Sequence, residues 1–240
     1  MENIPEVKYV ETDALKELFQ YARNSYKYLW AYSIIDEINY NRQEIEFETL
    51  VKRMLSKSWK PIFHYNLNYG KMDKIEAYIK KIQSRYNIPK NAGEKEVFKK
   101  LVKIDDKFMN EIIESFYSSL PYTFLSPFYK NLKGMSSYKK IKKIAELSNT
   151  TKKGIYQIDE DNNKLYLNSN WVKYFSKYRF HIEKWIIDNF KEYLETKNEN
   201  KTEKIKILYE KKDRTLEYMN RSLFEIVRSI IKSLWELIFK

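Results

Sequence analysis

The side chains able to do chemistry in this chain are overwhelmingly cations. Lys52, Arg53, Lys57 and Lys60 fall along one predicted helix, and Lys71, Lys74, Lys81 and Arg85 along or just before the next. Lys139, Lys140, Lys142 and Lys143 crowd a third, and Lys152 and Lys153 follow it. Neutralising a phosphate backbone needs only cations at suitable spacing, so both groups are candidate nucleic-acid contacts. Their ordinary alternative is a solvated lysine face. Gly70-Lys71-Met72-Asp73-Lys74 opens a helix, where backbone N–H groups beside Lys71 and Lys74 could hold a phosphate. The alternative reading is that Gly70 takes an unusual φ and Asp73 favours the helix dipole.

Other chemistries are poorly supplied. The chain has 0 Cys and 2 His, His64 and His181, which excludes disulfide scaffolds, thiolate metal sites and a thiol nucleophile. Neither GxGxxG nor GxxxxGK[ST] occurs. His64 has no acidic neighbour in sequence and reads as a structural histidine; His181 reads as helix packing. Asp36-Glu37 and Glu44-x-Glu46-x-Glu48 could bind a cation, but no acid sits with an ExK in a strand context. No catalytic residue, metal ligand or cofactor site is therefore assigned to this chain.

Charge is unevenly placed. The 240 residues carry 45 basic and 33 acidic side chains, a net charge of +12, with Lys far outnumbering Arg. Coding bias can choose Lys over Arg, but it does not segregate charge along a chain. Residues 51–103 hold 14 basic and 4 acidic side chains, and residues 126–153 hold 8 and 1, while residues 1–50 are net acidic. That pattern suggests a polyanionic partner, DNA first. Apolar runs are far shorter than the ~20 residues of a membrane span. The acidic start has no apolar signal segment, so a cytoplasmic location is expected.

Positioning these groups is work for helices. Apolar periodicity predicts helices over 14–39 with a break near Asn24-Ser25, 47–59 stopped by Pro61, and 72–86 with Met72 on its inner face. Further helices are predicted over 94–103, 106–117, 137–149 and 170–196, with an aromatic connector between Pro121 and Pro127. Residues 155–158 and 164–167 predict a hairpin turned by Asp159-Glu160-Asp161-Asn162-Asn163. The fold class is mainly α, a multi-helix domain over 1–240 with one β-hairpin. The helices before that hairpin suggest a winged-helix-like element around 106–167. A C-terminal helix over 213–240 has a wide apolar stripe including Val227, Ile230, Ile231, Leu234 and Trp235. Such a stripe requires a cover, whether the protein's own core, a partner chain or a second copy.

Three stretches together resemble one family. They are Ser25-Tyr26-Lys27-Tyr28-Leu29-Trp30; the run from Trp59 through Pro61, Tyr65, Gly70, Lys71 and Asp73 to Lys74; and Leu120-Pro121-Tyr122-Thr123-Phe124-Leu125-Ser126-Pro127-Phe128. In this order and spacing they resemble the N-terminal, non-catalytic region of bacterial HNH-endonuclease-domain proteins of restriction and phage-defence type. Asn198-Glu199-Asn200 stands where that region usually has Asn-Pro-Asn. In that family an HNH nuclease follows, with its own histidines and acidic residues for a divalent metal. Neither His64 nor His181 has an Asp-His or Asn-His context here. The resemblance thus implies the recognition or scaffold part of a nuclease system. DNA, and a nuclease partner chain or homo-oligomer docked on the C-terminal helix, are the expected partners. The competing reading is a protein–protein adaptor of a defence complex built on that same helix.

Overall fold

A computed structural model describes residues 4–39, 43–132 and 134–210. The expected C-terminal docking helix, with Val227, Ile230, Ile231, Leu234 and Trp235, lies outside them. The described part is mainly helical, with one small antiparallel sheet.

Helices α1 (Thr12–Lys16) and α2 (Tyr26–Asn39) are separated by a short 3-10 turn, which the sequence does not predict, and by the break it does predict near Asn24-Ser25. Helix α3 (Phe47–Phe63) runs through Pro61 instead of stopping before it. Proline this near a C-terminus forfeits little, and the His64 N–H still bonds the Lys60 carbonyl at 2.9 Å. Helices α4 (Ile75–Tyr86), α5 (Glu94–Val102) and α6 (Lys107–Tyr117) follow. Asn87, left-handed at φ 50°, ends α4, and the Asp106 carboxylate caps α6 by accepting from Met109 N. Met72 precedes α4 and is 77% exposed, so it is not a core residue.

The aromatic connector is helical. Residues Leu120–Leu125 form α7 and residues Ser126–Phe128 a 3-10 turn, each with its proline in the first turn, where the missing N–H is not needed. Helix α8 (Ser137–Thr151) leads into the hairpin of β2 (Tyr156–Asp159) and β3 (Lys164–Leu167). The sheet has a third strand, β1 (Glu44–Glu46), so the hairpin does not stand alone. Its order is β1-β3-β2, with Ile45 and Ile158 both registered on Leu165. The expected helix over 170–196 is two helices, α9 (Ser169–Lys177) and α10 (Arg179–Lys197), broken at Tyr178. Residues 202–210 are again helical, with Ile205, Leu208 and Tyr209 buried.

A buried polar chain ties the sheet to the helices. The Trp30 Nε1–H donates to the Tyr156 hydroxyl at 3.2 Å, and that hydroxyl donates to the Pro121 carbonyl at 2.7 Å. Every group in the chain is satisfied, so it fixes α2, α7 and β2 relative to one another.

Candidate nucleic-acid interface

Helix α8 is amphipathic in an unusual way. Ile144, Ala145 and Ser148 face inward, and no acid occupies its first turn. Lys139 and Lys142 are exposed, Lys140 and Lys143 half-exposed. Four lysines at the positive end of a helix dipole oppose it, by roughly 0.3–1 kcal/mol for an exposed charge near the first turn. Only Lys143 has a carboxylate partner among the described residues, Glu146 at 2.8 Å. Tyr138 is 66% exposed, and the Lys142 ammonium lies 4.7 Å from the centre of its ring. The Tyr138 phenol beside it raises the Lys142 pKa.

The junction after α8 is rigid. Lys152 adopts the left-handed conformation, φ 50°, where glycine is usual and another residue costs ~1–2 kcal/mol. Asn168 Nδ2 donates to the carbonyls of Lys152 (2.9 Å) and Gly154 (2.6 Å). Trp171 Nε1 donates to the Lys153 carbonyl at 3.0 Å. The hairpin is pinned to α8 as well: Asn149 Nδ2 donates to the Ile158 carbonyl at 2.9 Å, and Ser148 Oγ accepts from Ile158 N at 3.3 Å. The backbone groups of Lys152 and Lys153 are thus held inward and both residues are exposed.

One contributor was invisible in sequence. Lys27, in the first turn of α2, is half-buried and donates to the Leu18 carbonyl at 3.2 Å. Burial, with added repulsion from Lys140, pushes its pKa down to about 8. An amine so placed gains from any anion brought to it. No periodicity marks a lone lysine in an aromatic stretch as the neighbour of a helix more than a hundred residues away.

The first cation group behaves differently, and the expected strip along α3 is not there. Every residue from 50 to 59 is buried. Lys52 pairs with Glu48 at 2.8 Å and donates to the Ile104 carbonyl at 3.0 Å. Arg53 bonds Glu37, which is 0% exposed, and its guanidinium lies over the Phe98 ring at 4.3 Å. Lys57 binds both Asp36 and Glu94 and sits 3.9 Å from the Tyr32 ring centre. Burial would lower the Lys57 pKa, but Asp36 and Glu94 outweigh it and the pKa rises. Lys52, Arg53 and Lys57 therefore cannot meet a phosphate: α5 and the acids of α2 close over them. Asp36-Glu37, weighed as a cation site, supplies the counter-charges.

Lys60, Lys71, Lys74, Lys81 and Arg85 are exposed. Arg85 stays near Asp106 at 3.6 Å and over the Phe108 ring at 5.1 Å. His64 and His181 are exposed, against Tyr65 and Phe180 respectively, so His181 is not a core packing residue.

The residues of the three aromatic stretches are architectural. Asp73 accepts from Ser25 N (2.8 Å) and Ile75 N (2.9 Å), and the Tyr26 hydroxyl accepts from Lys74 N at 2.8 Å. Gly70, at φ 97°, has its Cβ position 3.3 Å from the Lys197 side chain. Asn198 bonds both polar groups of the Asn68 backbone at 2.7 Å. Trp59 is buried and donates to the Pro89 carbonyl at 3.0 Å. Tyr65 is half-buried, and Pro61, Pro121, Tyr122 and Phe124 are buried, with the Tyr122 hydroxyl on Glu160; Pro127 is half-buried. In the Gly70–Lys74 turn the N-terminal groups of α4 are thus served by Asp73 and Tyr26, which favours the structural alternative over a phosphate site.

Charge separates two open grooves. One, of about 490 Å³, is lined by Glu46, Glu48 and Glu114 and repels phosphate. The other, of about 660 Å³, runs beside α8 and is mixed, with Lys130, Lys143 and Lys153 alongside Glu11 and Asp13.

Among the described residues no helix is long and apolar enough to cross a membrane. No protein-family model, no curated protein and no solved structure matches this chain.

Proposed function

We propose that this protein is a DNA-binding or scaffolding part of a prokaryotic restriction or anti-phage nuclease system, with cutting supplied by another domain or chain. The observation that carries the reading is the set of lysines on the exposed side of α8 and at its junction with β2. Lys139, Lys140, Lys142, Lys152 and Lys153 have no carboxylate partner among the described residues. The lysines of the first turn of α8 oppose its helix dipole, with no acid there to relieve the cost. Binding a phosphate backbone offsets that cost.

Topology supports the same face. Helices followed by a hairpin is the order of a winged-helix reader, although here six helices stand between β1 and the hairpin that pairs with it. In that arrangement α8 is the helix offered to the groove. The resemblance of the aromatic stretches to HNH-endonuclease proteins supplies the biological setting. Those stretches build the frame, and the lysines of α8 are mounted on it.

Lysine acetylation footprinting tests the placement. Saturating duplex DNA should protect Lys139, Lys140, Lys142, Lys152 and Lys153 while Lys95 and Lys99 on α5 and Lys103 at its C-cap keep reacting. Protection confined to α5, or spread evenly over all lysines, contradicts the assignment.

A further inference from the structure

Most aromatic rings of this protein are packed inside it, and two that are not belong to the N-terminal end of α8 and the loop brought to it. Tyr21 is 84% exposed and Tyr138 66%, the most exposed tyrosines among the described residues. Tyr138 lies in the first turn of α8, beside Lys139 and Lys140, with the Lys142 ammonium 4.7 Å from its ring centre. Tyr21 lies in the loop between the 3-10 turn Glu17–Phe19 and α2. Two lysines bring that loop to the same end. Lys130, just ahead of α8, pairs with Glu17, while the Lys27 ammonium donates to the Leu18 carbonyl and is repelled by Lys140. The loop is held in shape. Gln20 N and Ala22 N donate to the carbonyls of Glu17 and Phe19 at 3.2 and 3.0 Å, and Ser25 N is held by Asp73. Arg23, exposed in the same loop, adds a cation.

We infer that this face takes an unpaired nucleic-acid strand, its phosphates on the lysines of α8 and its bases stacked on Tyr138 and Tyr21. The inference rests on the proposed backbone contact for its charges and goes further in naming the form of the strand. In a duplex both faces of every internal base are covered by neighbouring bases, so an exposed ring meets only sugar and phosphate. An unpaired base offers its face, and stacking on an aromatic side chain tolerates any sequence. Lys142 strengthens the platform, because a cation beside a tyrosine ring leaves the open part of that ring for a base. An acidic peptide would satisfy the lysines and give neither ring a partner. An ordered loop also presents Tyr21 with little entropy left to lose on binding.

The test compares two single-stranded oligomers of equal length and charge, one carrying bases and one abasic throughout, by fluorescence anisotropy. The parent should hold the base-bearing strand at least about tenfold more tightly, the scale of one or two stacked bases. Tyr138→Ala and Tyr21→Ala should each cost about fivefold or more on that strand and nothing on the abasic strand or a paired duplex. Tyr138→Phe, which keeps the ring, should bind like the parent. Both tyrosines are exposed, so the alanine variants should keep the parent's melting temperature. Equal affinity for the two oligomers, or alanine losses of the same size on both, overturns the stacking and leaves the backbone contact standing. Base-dependent binding that survives K139E/K140E/K142E/K143E keeps the stacked rings and overturns the lysine contact.

Discussion

Arg53→Met should lower the unfolding free energy by about 3–5 kcal/mol, because it removes the cation bonded to a buried carboxylate. Glu37 has no solvent exposure and its Oε1 accepts from the Arg53 Nε–H. Methionine retains much of the apolar contact that the arginine stem makes near Phe98, so the loss is mostly electrostatic. For a chain of this size the melting temperature should fall by roughly 6–20 °C. Adding Glu37→Gln should recover most of the loss, since a neutral amide no longer needs a cation. The cycle of single and double variants should give a coupling well above the ~0.5 kcal/mol expected of independent sites. Additive effects would mean that the pair contributes shape alone. Below its melting temperature the Arg53 variant should bind DNA like the parent, because the residue is inside the protein.

The second large effect is on binding. The quadruple variant K139E/K140E/K142E/K143E should lose at least a hundredfold in affinity for duplex DNA at low salt, since four phosphate contacts become four repulsions. It should not lose stability. Acids in the first turns of a helix favour its dipole, and a glutamate at 140 faces Lys27. The losses are the exposed Lys143–Glu146 pair and the Lys142 contact with the Tyr138 ring, each a few tenths of a kcal/mol. K95E/K99E/K100E/K103E, on α5 and its C-cap, changes net charge equally and should alter affinity only severalfold. Equal losses from the two variants would make binding a matter of net charge and dissolve the α8 assignment.

Much of this was legible in the residues, and the reasons for the rest are specific. Helices α2, α6 and α8 and the β2–β3 hairpin follow from periodicity, caps and a polar turn, all local signals. Strand β1 is three residues long and exists only because β3 offers it an edge. By sequence alone α7 reads as a connector because Pro121 and Pro127 look like breakers, whereas at a helix start they are initiators. The lysine run of α8 was visible because its cations cluster with few acids nearby. Helix α3 misled for the opposite reason: its cations have partners distant in sequence, Asp36, Glu37 and Glu94. The one available hint was that Asp36-Glu37 interrupts an apolar helix. Lys27 joins the face only through the packing of α2 near α8.

The central claim is that six lysines, 139, 140, 142, 143, 152 and 153, engage a phosphate backbone. Its most direct test is the affinity of the intact chain for a mixed-sequence duplex, followed by fluorescence anisotropy across a salt series. With ~6 phosphate contacts the log–log slope should be about −5, a loss of on the order of a thousandfold between about 50 and 200 mM salt. A flat salt response, or no binding at the lowest salt, would contradict the account and turn attention to the adaptor reading.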